Sequence, residues 1–141
     1  RTTTFIMNQR NIYFTAITSI FLAIMFSCSQ PAGKELAGEW RAVDVIVEAE
    51  GEDIGREKLD ALRRMEKSVV FVLNEDSTMS AVTGGSVISG FWTYDEETSE
   101  VRILFENAGT EPTPMGKYSG GKIVKDHETG GIRIKTTYEK R

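Results

Sequence analysis

Cysteine, histidine and proline are nearly missing from this chain: its 141 residues include one Cys, one His and three Pro. A single cysteine excludes an intramolecular disulfide, so the fold must be held by its core. One histidine, His127, leaves too few ligands for a zinc site of the His and Cys kind, and no motif calls for a cofactor. Basic charge is also in deficit, with 17 Lys and Arg against 21 Asp and Glu. No run of Lys and Arg is interleaved with aromatics, which argues against nucleic-acid binding. The longest uncharged apolar run, Ile12 to Phe26, falls short of the roughly 20 residues of a membrane-spanning helix.

That run is instead flanked as an export signal is flanked. Asn8-Gln9-Arg10 is a short basic region ahead of it, and Ser27-Cys28 closes it with a small residue before the lone cysteine. The pattern resembles the bacterial lipobox, and the resemblance implies diacylglyceryl transfer to Cys28 with cleavage before it. Met25 and Phe26 relax the usual box in the way common among Bacteroidetes lipoproteins. The start is expected at Met7, with residues 1–27 as the signal segment. An uncleaved anchor or an ordinary secretory signal would leave an unpaired thiol in an oxidising compartment; acylation of Cys28 removes that oddity. Arg1 and Arg10 leave with the signal, so the mature chain is more acidic than the −4 of the whole sequence. Residues 28–36 are small and polar, the composition of a flexible tether. Ser29 carries no acidic retention signal, which points by analogy to the outer membrane.

Residues 37–141 read as one domain of strands and turns with a single helix. Strands are expected over Glu39 to Ala49, Ser68 to Leu73, Thr78 to Thr83, Ser86 to Tyr94 and Glu100 to Glu106. Further short ones are expected around Met115 to Ser119 and Lys122 to Asp126, in a looser stretch containing Pro112, Pro114 and Gly116. The last, Ile132 to Tyr138, alternates cleanly, with Ile132, Ile134, Thr136 and Tyr138 on one face. The first alternates imperfectly, as a bulge would make it. Gly55 to Lys67 has Leu59, Leu62 and Met65 at three-residue spacing and predicts an amphipathic helix that plugs one end of the β-structure.

Seven or eight short strands joined by tight turns predict an all-β fold, a small antiparallel up-and-down barrel with one helix between its first two strands. Gly90 fits a place where the sheet bends sharply. Leu36-Ala37-Gly38-Glu39-Trp40-Arg41, the turn Asn74-Glu75-Asp76-Ser77 and the hairpin Gly90-Phe91-Trp92-Thr93-Tyr94-Asp95 resemble small lipocalin-like, calycin-type lipoproteins of Bacteroidetes. The resemblance implies a barrel with Trp40 packed across its closed base, with Arg133 the candidate to stack on it.

Trp40, Phe71, Phe91, Trp92, Tyr94 and Phe105 are the aromatics expected to line a pocket for a small hydrophobic ligand. Small barrels commonly fill their interior with side chains, so a filled core stands as the alternative. His127 lies in the charged stretch Lys125-Asp126-His127-Glu128-Thr129 and reads as a solvated loop residue. No Gly-x-Ser-x-Gly elbow is present, so no catalytic residue is assigned and an enzyme is the least favoured class. The acidic turns at Glu75-Asp76 and Asp95-Glu96-Glu97 lack the ligand spacing of a calcium loop. The expectation is a lipid-anchored envelope protein that binds a small apolar molecule. The alternative is a non-enzymatic interaction or protease-inhibitor-like module with a filled barrel.

Overall fold

The computed structural model describes residues 33–51 and 54–141. The expected signal, Cys28 and most of the expected tether lie outside the described residues. Eight strands form a closed antiparallel barrel in chain order: β1 (Gly38–Ala49), β2 (Val70–Leu73), β3 (Thr78–Thr83), β4 (Ser86–Asp95), β5 (Glu100–Phe105), β6 (Thr113–Ser119), β7 (Lys122–Thr129) and β8 (Ile132–Lys140). One helix, α1 (Arg56–Ser68), joins β1 to β2. Closure is made by β1 against β8, in register from Trp40↔Lys140 to Ala49↔Ile132. Closing the sheet removes both edges that an open meander would expose.

The imperfect alternation of β1 has a physical cause. The register with β8 slips between Ala42 and Asp44, so Val43 is the extra residue of a bulge and stands 50% exposed. Trp40 faces inward before the slip, and Val45 and Val47 face inward after it. On β8, Ile132, Ile134, Thr136 and Tyr138 are all buried, as their alternation predicts.

The interior divides in two. One cluster fills the closed base around Trp40, Leu73, Trp92, Ile123 and Tyr138. Trp40 donates its Nε1 proton to the Leu36 carbonyl at 2.8 Å and meets Tyr118 edge-on at 6.2 Å. Residues 33–36, which composition assigns to the tether, are therefore folded: Lys34–Leu36 is a 3-10 turn, and Leu36 is buried beneath the barrel. An apolar side chain ending a polar stretch gains by burial, and here it seals the base. Arg133 does not stack on Trp40. It lies on the outer face of β8 in a two-point ion pair with Asp126. Lys140 instead crosses the base, donating Nζ to the Glu35 carbonyl at 2.7 Å and to that of Ala37 at 3.3 Å.

The second cluster lies at the other end, where Val45, Val47, Ile132 and Ile134 are covered by Ile54, Leu59 and Leu62. Helix α1 thus covers the inner face of β1 and β8 at the mouth. Its expected stripe is corrected at one position. Met65 is 54% exposed, and Glu66, one residue on, reaches inward to accept the Thr136 hydroxyl at 3.2 Å. Glu66 follows Leu59 and Leu62 at seven and four residues, the spacing of one helical face. No helix among the described residues is long and apolar enough to cross a membrane.

Candidate functional site: a cavity at a split seam

The wall of the barrel is thinnest between β6 and β7. Their ladder has three rungs, Lys117↔Val124, Tyr118↔Ile123 and Ser119↔Lys122. Beyond them, Thr113 to Gly116 pairs only with β5, and Lys125 to Thr129 only with β8. The sequence makes this split locally. Pro114 lacks an N–H and suits a strand without a second partner. Met115 is the extra residue of a bulge, because Val101 pairs with Gly116 while Arg102 pairs with Pro114. Gly116 adopts φ +151, and a Cβ there would lie 2.7 Å from the Val124 carbonyl oxygen. It is the last point at which the two strands touch before they diverge.

A cavity of about 600 Å³ occupies the split. Its inner wall is Phe71, Ile103, Phe105 and Met115, and its banks are Thr113 to Lys117 on β6 and Val124 to His127 on β7. Strand alternation places Lys125 and His127 inside, opposite Thr136 and Ile134 of β8, and Val124 and Asp126 outside. Inward and outward residues therefore border one space, which runs from the upper interior through the seam to the surface.

Of the six aromatics expected to line a pocket, the structure brings Phe71 and Phe105 to the cavity. Trp40, Trp92 and Tyr94 sit away from it, in or against the base cluster. Trp92 donates Nε1 to the Asn74 carbonyl at 2.9 Å, tying the β2–β3 turn, and Tyr94 stacks edge-on with Tyr118 at 6.3 Å. Phe91 is corrected outright. It faces outward on β4 and is 49% exposed, because its neighbours Gly90 and Trp92 take the inward positions of an alternating strand. Side chains fill the base, and an open space borders the seam.

His127 is the residue that sequence reasoning misplaced. Ending β7 at Asp126 left it in a loop, whereas the strand runs on to Thr129. Ile123, Lys125, His127 and Thr129 alternate in step with Tyr138, Thr136, Ile134 and Ile132; that shared period was the available signal. His127 Nδ1 is shielded from solvent and has no hydrogen-bond partner among the described residues. Burial pushes its imidazole below the ordinary value of 6.5, and the Lys125 ammonium pushes the same way, against Glu66 and Asp126.

This shift has a consequence for stability. The folded state disfavours protonated His127, so the unfolded chain takes up more protons once pH falls below about 6.5. Stability then drops until pH passes the lowered folded value, and above 6.5 the effect is absent. The carboxyls of Asp76, Asp95 and Asp126 act in a separate window. Thr78, Thr98 and Arg133 respectively hold them below their ordinary 3.8 by hydrogen bonds. The stability they add is present above about pH 4 and lost only as pH falls through their folded values. We therefore expect His127→Gln to flatten the fall in melting temperature between about pH 7 and pH 5. Equal falls in both proteins would remove His127 as its source.

No family model and no curated protein matches this sequence. Among solved structures, a DUF4847 family protein from Bacteroides vulgatus ATCC 8482 is similar to this chain, at 16% identity and a TM-score of 0.44. The match covers 74% of this chain and 94% of that one.

Proposed function

We propose that this chain is a non-enzymatic, lipid-anchored protein of the cell envelope that holds one small, largely apolar molecule in the seam cavity of its barrel. The observation that carries the binding reading is the cavity itself. At about 600 Å³ it falls within the roughly 300–1,000 Å³ of small-molecule sites. Its inner wall is apolar and aromatic, and a gap in the ladder gives access to it. The anchor rests on the sequence pattern ending at Cys28, which would tether the mature chain through its acyl groups, with the outer membrane as the expected face.

A second reading, an interaction module, is supported by a different surface. Val87 and Phe91 stand exposed on the outer side of β4, and Ile88 is exposed at its upper end. Solvent extraction of the purified full chain followed by mass spectrometry separates the two. The binding reading expects one small amphiphilic species in near-equimolar amount with the protein. Only bulk membrane lipid, in proportion to the detergent used, would overturn it. For the anchor, Cys28→Ser should leave the protein in the soluble fraction; retention at the wild-type level would sink that part.

A further inference from the structure

The outside of the barrel is built in two different ways. On β7 and β8 the outward register partners are of opposite charge, Lys122 with Glu139, Asp126 with Lys135 and Glu128 with Arg133. Across β2 to β5 the outward side chains form three rungs, and none of them is charged. Val70, Val82 and Val87 make the upper rung, and Val72, Ser80 and Ser89 the middle one. Thr78, Phe91 and Leu104 make the lower. Val87 is 64% exposed and Phe91 49%, and the other apolar members of the rungs are half-buried. Ion pairs flank the face, Arg41 with Glu39 on β1 and Arg102 with Glu100 on β5. An uncharged centre inside a charged rim is the anatomy of an interface.

The chemistry of this face names its occupant. A closed barrel offers no free edge, so a partner must meet the face through side chains and not by adding a strand. A strongly charged partner would be matched by opposite charges, and the centre of the face has none. A bilayer interior would leave the Ser80 and Ser89 hydroxyls, in the middle of the patch, without partners. A second copy suits every group on it. Apolar side chains pack on their own kind, and a hydroxyl both donates and accepts, so Ser and Thr can pair with their own images across a two-fold axis. Carboxylates and ammonium groups cannot. On a chain of net charge −4, this face is where two copies can meet without bringing like charges together. Resting on the interaction surface at β4 and independent of the cavity, we propose that two copies of the chain associate here, sheet on sheet, with Val87 and Phe91 in the contact. Nine side chains are fewer than the roughly 20–30 a side of a standard interface, so the dimer forms reversibly.

The test is sedimentation equilibrium of the full chain in a density-matched non-ionic detergent, over about 1–300 μM. The protein mass should rise with concentration from one protomer towards two. Phe91→Asp and Val87→Lys should each weaken association about tenfold or more, the scale of one lost interface anchor. Loss with either sign of charge separates burial from electrostatics. Ile46→Asp, at a 42% exposed position in register with Lys135 on the other half of the barrel, should leave association unchanged. All three positions face outward, and melting temperatures check that the variants are folded. A dimer insensitive to both face variants, or weakened equally by Ile46→Asp, would overturn the proposal. So would a monomer at every concentration. Hydroxyl-radical oxidation of Phe91, blocked only in phosphatidylcholine vesicles, would then give the face to lipid, and oxidation in both settings would leave it without an occupant. Either result leaves the cavity reading standing.

Discussion

Trp40→Ala should cost about 3–5 kcal/mol, the range for deleting a fully buried large aromatic. Against a total stability of about 5–15 kcal/mol for a domain of this kind, that removes much of the margin. Trp40 is 1% exposed, lies in register with Phe71 on β2 and Lys140 on β8, and closes the base where both neighbours of β1 meet. Its loss would open a void between the strands that complete the barrel. It would also strand the buried Leu36 carbonyl, which Trp40 Nε1 satisfies at 2.8 Å. Trp40→Phe is the milder comparison. It keeps a ring against Tyr118 while losing the N–H and part of the ring volume, so it should cost less than alanine, about 1–3 kcal/mol. Urea unfolding followed by far-ultraviolet circular dichroism would measure both. An alanine variant within about 1 kcal/mol of wild type would show that the base is not held as described.

Much of this architecture was legible because each element carries its own local signal. Every expected strand is present, and helix α1 begins and ends within one residue of its expected bounds. Turn glycines and β-branched runs report on neighbours a few residues apart, and an up-and-down barrel is built almost entirely from such neighbours. The bulge at Val43 was legible for the same reason, as a break in alternation. What could not be read was which side of a strand faces the core when both sides carry apolar residues. Phe91-Trp92 is such a case: two adjacent aromatics cannot both point inward, and the burial of Gly90 decides between them. His127 shows the opposite difficulty. Its strand is polar, so its inward side is defined by β8 across the ladder and not by its own composition.

The seam was half visible. Pro114 and Gly116 marked that stretch as loose, but looseness alone does not say whether a strand is lost or merely unpaired on one side. The distinction matters to function, because an unpaired bank opens the wall while leaving the barrel closed by β1 and β8. It also explains how a small barrel can hold a cavity. The bulky side chains Trp40, Trp92 and Tyr138 are gathered at the base, while α1 covers the far end over β1 and β8. The space left between them lies beside β6 and β7.

Gly90→Ala should be the most damaging of the small substitutions and should reach the cavity as well as the fold. A Cβ at Gly90 would overlap the Leu104 carbonyl oxygen and come within 3.0 Å of Leu104 C and Phe105 Cα. All three are backbone atoms, so no side chain can swing aside. The backbone of β5 must retreat from β4, at a cost of about 1–3 kcal/mol or more by the measure of overpacked cores. Phe105 is the register partner of Gly90 and forms part of the cavity wall. Displacing it should reshape that wall even where the barrel survives. Gly55 supplies the control: with φ −60 and nothing within 4 Å of a Cβ, alanine there should shift stability by less than about 1 kcal/mol. Melting temperatures of the two variants make the comparison. If Gly90→Ala melts with Gly55→Ala and wild type, the close approach of β4 to β5 is not what shapes this end of the barrel.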